Sequence, residues 1–166
     1  MVASLTCAEQ WLKFEPCIVS YSDIFYEASA ILSLMNCTAP LAVTYDPNWL
    51  NIWGKRFDDP LTDAETFLIN SHNEIIEIGN KPKSIEEVKG QYMGLLRITP
   101  HSWREIVSAI SQFPKSEREK LDMTSTLQHI IQSAKISVIG VPYEGDWGEI
   151  DTEADLEKFC SNSEIY

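Results

Sequence analysis

Positive charge is what this sequence has least of: 13 lysines and arginines stand against 25 aspartates and glutamates in 166 residues, a formal net charge of −12 at pH 7. A surface of that sign repels a phosphate backbone and an anionic bilayer, so nucleic-acid binding and membrane docking are not expected. A small phosphorylated ligand suits such a field only beside a metal ion or a local basic group. Long hydrophobic runs are missing too, none approaching the roughly 18 apolar residues of a membrane span. Met1 to Cys7 has no basic stretch leading into an apolar one, so no signal peptide is expected. The cysteines, Cys7, Cys17, Cys37 and Cys160, have no CxxC spacing and are read as reduced, mostly buried thiols of a cytoplasmic protein. There is no Gly-x-Ser-x-Gly elbow and no Walker sequence, which leaves serine-hydrolase and P-loop chemistry without support. His72, His101 and His129 are scattered, with no spacing that suits a metal or an acid–base pair.

What is present is an ordinary globular composition, 44% hydrophobic, enough to close the core of one domain over residues 1–166. Leu5, Ala8, Trp11, Leu12 and Phe14 recur at helical spacing until Pro16. Cys17 to Tyr21 reads as a strand, Ser22-Asp23 as a polar turn, and Ile24 to Met35 as a helix. A strand over Leu41 to Tyr45 is followed by Asp46-Pro47-Asn48 capping an aromatic helix through Trp53. Thr66 to Ile69 and Ile75 to Ile78 predict a hairpin, ended by Lys81-Pro82-Lys83. Gln91 to Ile98 reads as a strand, Trp103 to Phe113 as a helix and Pro114 to Lys120 as an exposed connection. A helix over Asp122 to Ser133, a buried strand over Ile136 to Val141 and a last helix over Thr152 to Cys160 complete the chain. Strands alternating with helices predict an α/β fold whose mixed, mostly parallel sheet is flanked by helices.

Six positions in this pattern are candidates for chemistry. Asp23 ends a strand, where ligands of open α/β sheets gather, but Ser22-Asp23 before an apolar helical run is equally an N-cap. Asp151, in the segment Gly145 to Thr152 that joins the last strand to the last helix, presents the same choice. Two strand-end carboxylates in one such domain suit a hard cation such as Mg2+. Lys81 is a rare cation held beside Pro82 and close to Gly79; a solvated surface lysine is the plain alternative. Tyr92 and Trp147, near strand ends, are either core or pocket lining, and Glu149 lies in the Asp151 segment.

Taken in order, Ile18-Val19-Ser20-Tyr21-Ser22-Asp23-Ile24, Asn80-Lys81-Pro82, Gly90-Gln91-Tyr92-Met93-Gly94-Leu95 and Trp147-Gly148-Glu149-Ile150-Asp151-Thr152-Glu153-Ala154-Asp155-Leu156 resemble the later part of the sugar-phosphate nucleotidyltransferases. Within that superfamily the chain is most similar to the phosphocholine and 2-aminoethylphosphonate cytidylyltransferase-like branch, from Met1 to about Phe159. The resemblance implies part of a nucleotide-diphospho-sugar transferase, GT-A-like fold. It makes Asp23 and Asp151 the two Mg2+ aspartates and Lys81 the lysine of a Glu-Lys-Pro motif that contacts the acceptor phosphate, with Asn80 replacing the glutamate. Tyr92, Trp147 and Glu149 are expected in the substrate pocket. The implied partners are an NTP, CTP in this branch, and a small phosphorylated or phosphonate acceptor. The family opens with a Gly-x-Gly-x-Arg triphosphate loop that this sequence does not contain. The expectation is therefore an amino-terminally shortened nucleotidyltransferase, inactive alone. The other reading is a fragment that pairs through a bare sheet edge with another copy or with a separate amino-terminal half.

Overall fold

The computed structural model describes residues 2–162; Met1, where the family resemblance begins, lies outside them. Helices α1 (Val2–Thr6) and α2 (Glu9–Leu12) lead into β1 (Cys17–Ser20) and β2 (Ile24–Tyr26), followed by α3 (Ala28–Asn36), β3 (Leu41–Asp46) and α4 (Leu50–Arg56). The hairpin of β4 (Phe67–Ile69) and β5 (Ile75–Ile78) precedes the long β6 (Gln91–Ile98). Then come α5 (Pro100–Gln112), α6 (Lys115–Arg118), α7 (Met123–Ser133), β7 (Val138–Pro142), β8 (Trp147–Glu149) and α8 (Glu153–Asn162).

The main sheet has the order β1-β6-β3-β7. Its middle is β3, buried at every position, because successive side chains of a strand point to opposite faces and both faces are covered. Leu41, Val43 and Tyr45 join a core with Leu96, Ile98, Trp103, Ile106 and Leu127, beneath α5 and α7. Ala42 joins the opposite core with Ala30 and Leu34 of α3, Trp49 and Trp53 at α4, Met93, Leu95, Tyr143 and Trp147.

The fold is α/β with a mixed sheet, but the sheet is mostly antiparallel, which corrects the expectation of a mostly parallel one. Of its pairings only β3 with β7 is parallel. The physical reason is the place of β6: β1, β3 and β7 run the same way, as alternating strands and helices predict, but β6 inserts between β1 and β3 in the opposite sense.

Local periodicity misled in two further places. Ile24 to Tyr26 is not the start of a helix but a strand paired to Trp147–Glu149, itself read as loop. That ladder joins segments remote in sequence, which no local pattern reveals. The first helix breaks into α1 and α2, and its apolar spacing does not bury its aromatics: Trp11 is 54% and Phe14 82% exposed. The thiols are free, but Cys7 and Cys160 are exposed and Cys17 and Cys37 only partly covered, contrary to the expected burial. No helix among the described residues is long and apolar enough to cross a membrane.

One glycine is required by its surroundings. Gly94 of β6 has φ +77°, and a Cβ there would meet the Tyr21 ring at 2.5 Å. Gly94→Ala is therefore expected to cost about 1–3 kcal/mol through backbone strain and displacement of Tyr21. Urea unfolding measures it; an unchanged midpoint would show that the Tyr21 seat is not rigid.

Candidate functional site

The ribbon of β2 and β8 builds the site. Ile24 faces Glu149 across the ladder, and the Ile150 amide donates to the Asp23 carbonyl at 2.8 Å, so Asp23 and Asp151 emerge beside one another at one end of the ribbon. Neither caps a helix. Asp23 precedes a strand, and α3 begins after Glu27 without a side-chain cap. At the last helix the cap is Thr152. Its hydroxyl accepts from the Asp155 amide at 3.2 Å, and Asp155 Oδ2 accepts from the Thr152 amide at 3.0 Å, a reciprocal arrangement that leaves the Asp151 carboxylate for other work.

Arg56, at the end of α4, grips the carboxyl side of this ribbon. Its Nη1 donates to Glu149 at 3.0 Å, Nη2 to Asp151 at 2.9 Å and Nε to Asp155 at 3.2 Å. The guanidinium also lies over the rings of Trp53 and Phe57, 5.2 Å from each centroid. Its side chain is 5% exposed, whereas that of Asp151 is 50% exposed. Three carboxylates share one guanidinium, so the cluster keeps a negative excess. Burial pushes the Glu149 carboxyl above its ordinary range, the Arg56 hydrogen bond pulls it back, and the charges of Asp151 and Asp23 push it up again. The influence of Asp23 on Glu149 shows that it belongs to this electrostatic neighbourhood.

A second acidic group flanks Asp23. Tyr21 packs edge-on against Tyr92, ring centroids 5.8 Å apart. Burial raises the Tyr21 phenol, and although its interaction with Tyr92 lowers it, Asp122, Glu65 and Asp23 raise it further. Tyr21, Ser22 and Asp23 line an open groove of about 490 Å3 together with Ser4, Leu5, Ala8 and Met123. Lys81 lies on the Glu65 side, where its charge helps Glu65 stay ionised, and its ammonium donates to the carbonyls of Leu61 and Thr62.

Comparison with known proteins places this geometry. Over 168 aligned residues, 95% of the chain, it is 32% identical to the CTP:phosphoglutamine cytidylyltransferase of Campylobacter jejuni, of which it spans 66%. The chain belongs to the sugar-phosphate nucleotidyltransferase superfamily. Two solved structures share the fold at low identity. One, assigned as a glucose-1-phosphate thymidylyltransferase of Bacillus anthracis, aligns over the whole chain with a TM-score of 0.71 at 16% identity. The other, the inositol-1-phosphate CTP transferase of T. maritima, aligns over 99% with a TM-score of 0.70 at 19% identity. The chain spans 62% and 63% of those two proteins. No protein-family model matches it.

Of the residues singled out in the sequence, Asp23, Glu149 and Asp151 gather at the ribbon end. Lys81 stands apart on the far side of Glu65. Trp147 is 4% exposed and packs in the core, stacked on Trp53 with its indole N–H donating to Asp46 at 3.0 Å. Tyr92 lies behind Tyr21 with its hydroxyl sealed from solvent. Sequence reasoning missed Arg56, Glu65 and Asp155. The spacing of Trp53, Arg56 and Phe57 at the end of an aromatic helix was the available signal for Arg56, in a chain where any buried cation is notable. Among the described residues no group of three or more His, Cys, Asp or Glu side chains could hold a metal ion, so Asp23 and Asp151, hard oxygen donors on adjoining segments, are at most two protein ligands. Mg2+ commonly takes one or two carboxylates and completes its shell with water and substrate phosphate.

Glu65 supplies a pH test. Burial lifts its carboxyl pKa; the Thr124 hydrogen bond lowers it, Asp122 and Asp63 raise it and Lys81 lowers it, and the net direction is up. The folded chain then takes up this proton before the unfolded chain does, so stability rises as pH falls through the folded pKa and levels off below the unfolded one. Glu65→Gln is expected to melt above wild type at pH 7, with the gap closing near about pH 4 as wild-type Glu65 protonates in both states. Parallel melting curves at all pH values would contradict the assignment.

Proposed function

We propose that this chain carries the cation-binding carboxylates and the acceptor-side lysine of a cytidylyltransferase site, one that moves a nucleotidyl group from an NTP to a small phosphorylated or phosphonate acceptor. The observation that carries the reading is the backbone hydrogen bond that sets Asp23 beside the residue preceding Asp151 at one ribbon end, in a chain similar to proteins named as cytidylyl- and thymidylyltransferases. An acceptor oxygen would attack the α-phosphorus as the bond to the bridging oxygen breaks and pyrophosphate leaves, a step that depends on positioning and on offsetting negative charge. Mg2+ bound by the two aspartates would supply that offset, which no lone side chain of a −12 protein can match. Lys81 would bind the acceptor phosphate by exchanging its two carbonyl acceptors for phosphate oxygens. Glu149 shapes the pocket through Arg56, and Tyr92 and Trp147 support it from behind. CTP and the acceptor are the partners. Because this sequence has no Gly-x-Gly-x-Arg triphosphate loop, the isolated chain is expected to release no pyrophosphate from CTP with phosphocholine or 2-aminoethylphosphonate.

Thermal melts test the carboxylate pair. Millimolar Mn2+ together with CTP should raise the wild-type melting temperature above the value with CTP alone, and Asp23→Asn or Asp151→Asn should fold and melt normally but lose that rise. No Mn2+-dependent shift in wild type with CTP present would remove the cation role.

A second reading is favoured by the bare edge of the sheet. β1 pairs only with β6, and exposed Trp11 and Phe14 precede it while Leu32 and Met35 of α3 are also exposed. Such an edge invites strand pairing with another copy or with a separate amino-terminal half. Sedimentation showing a concentration-independent monomer through the micromolar range would count against self-pairing.

A further inference from the structure

We infer that Arg56 is a built-in competitor of the divalent cation, a positioning residue that keeps Asp151 neutralised until a nucleotide's phosphates arrive with the metal. The proposal rests on the reading of Asp151 as a cation ligand. The guanidinium already donates to Asp151 Oδ2 at 2.9 Å, and it is not free to withdraw: Glu149 and Asp155 accept from its other nitrogens, and the rings of Trp53 and Phe57 lie against it from one side. A dication on the exposed oxygen of Asp151 would therefore sit a few ångströms from a fixed positive charge. Like charges so close, in a partly buried setting, oppose one another strongly. Extra negative oxygens from a triphosphate reverse that balance. The arrangement makes the site weak for free metal and selective for a metal–nucleotide complex, with binding of the two coupled.

The sign of the effect separates this role from a structural one. A guanidinium that merely braces the ribbon would, once removed, loosen Asp151 and weaken metal binding. The competitor role predicts the reverse. Mn2+ binding to the full chain, followed by the loss of the free-ion electron paramagnetic resonance signal, is expected to be at least tenfold tighter in Arg56→Gln than in wild type, without nucleotide. Adding CTP should tighten Mn2+ binding more in wild type than in the variant. Equal or weaker binding by Arg56→Gln overturns the proposal while leaving the metal site standing. Absence of binding in both proteins overturns the metal reading, and the proposal with it. If circular dichroism shows that Arg56→Gln does not fold, the wild-type protein decides. On Mg2+ titration, the Arg56 guanidinium protons should exchange faster as the Asp151 bond is lost. A metal-induced rise in melting temperature with that exchange unchanged refutes the competition.

Discussion

The short ladder between β2 and β8 is the contact on which the candidate site depends. Three residue pairs, Ile24 with Glu149 through Tyr26 with Trp147, bring a segment near the start of the chain against one near its end. Without it Asp23 and Asp151 would sit on unrelated loops. The ladder is placed by the cores on either side of the sheet: Trp147 anchors β8 against Trp53 and Asp46, and Tyr21, seated over Gly94, fixes the chain just before β2. Precision at the ribbon end is thus inherited from packing several residues away, the usual way a rigid scaffold positions reactive groups.

Charge is the second organising constraint. A protein this acidic has few cations to spend, and near the site both are committed, Arg56 to three carboxylates and Lys81 to two backbone carbonyls. Burial raises the pKa values of Tyr21, Glu65 and Glu149, and acidic neighbours raise them further, so negative charge is crowded in this region. Repulsion of this kind reduces stability while the site is empty of counter-charge and is repaid on binding, a common bargain at functional sites.

Much of this was legible in the sequence, for identifiable reasons. The strands around Val19, Val43 and Leu96 are continuous apolar runs bounded by turn residues, and α5 and α7 carry their caps, Thr99 and Asp122, just where periodicity begins. Asp23 and Asp151 were legible as strand-end carboxylates, yet their choice between cap and ligand was not. Excluding the cap needed two structural facts: that Ile24 to Tyr26 is a strand paired to a remote segment, and that Thr152 and Asp155 cap α8 between themselves. The common direction of β1, β3 and β7 was legible, whereas the reversed sense of β6 and its insertion between β1 and β3 were not, because both are properties of the packed sheet. Arg56 was invisible for the same reason, since its three partners follow it by nearly a hundred residues.

The long reach of the β2–β8 ladder also orders events in time. A chain emerging from the ribosome can pair β3 with β6 and pack α5 on them well before Trp147 exists. The ribbon must wait until Trp147 to Glu149 has been made, and closing so long a loop slows its formation more than it weakens it. The candidate site is therefore the last part to assemble and, held by few backbone hydrogen bonds, the first that can open without unfolding the rest. Until α8 is made, the exposed Phe25 and the waiting edge of β2 are open to wrong partners, so newly made chains are most vulnerable to aggregation in that interval.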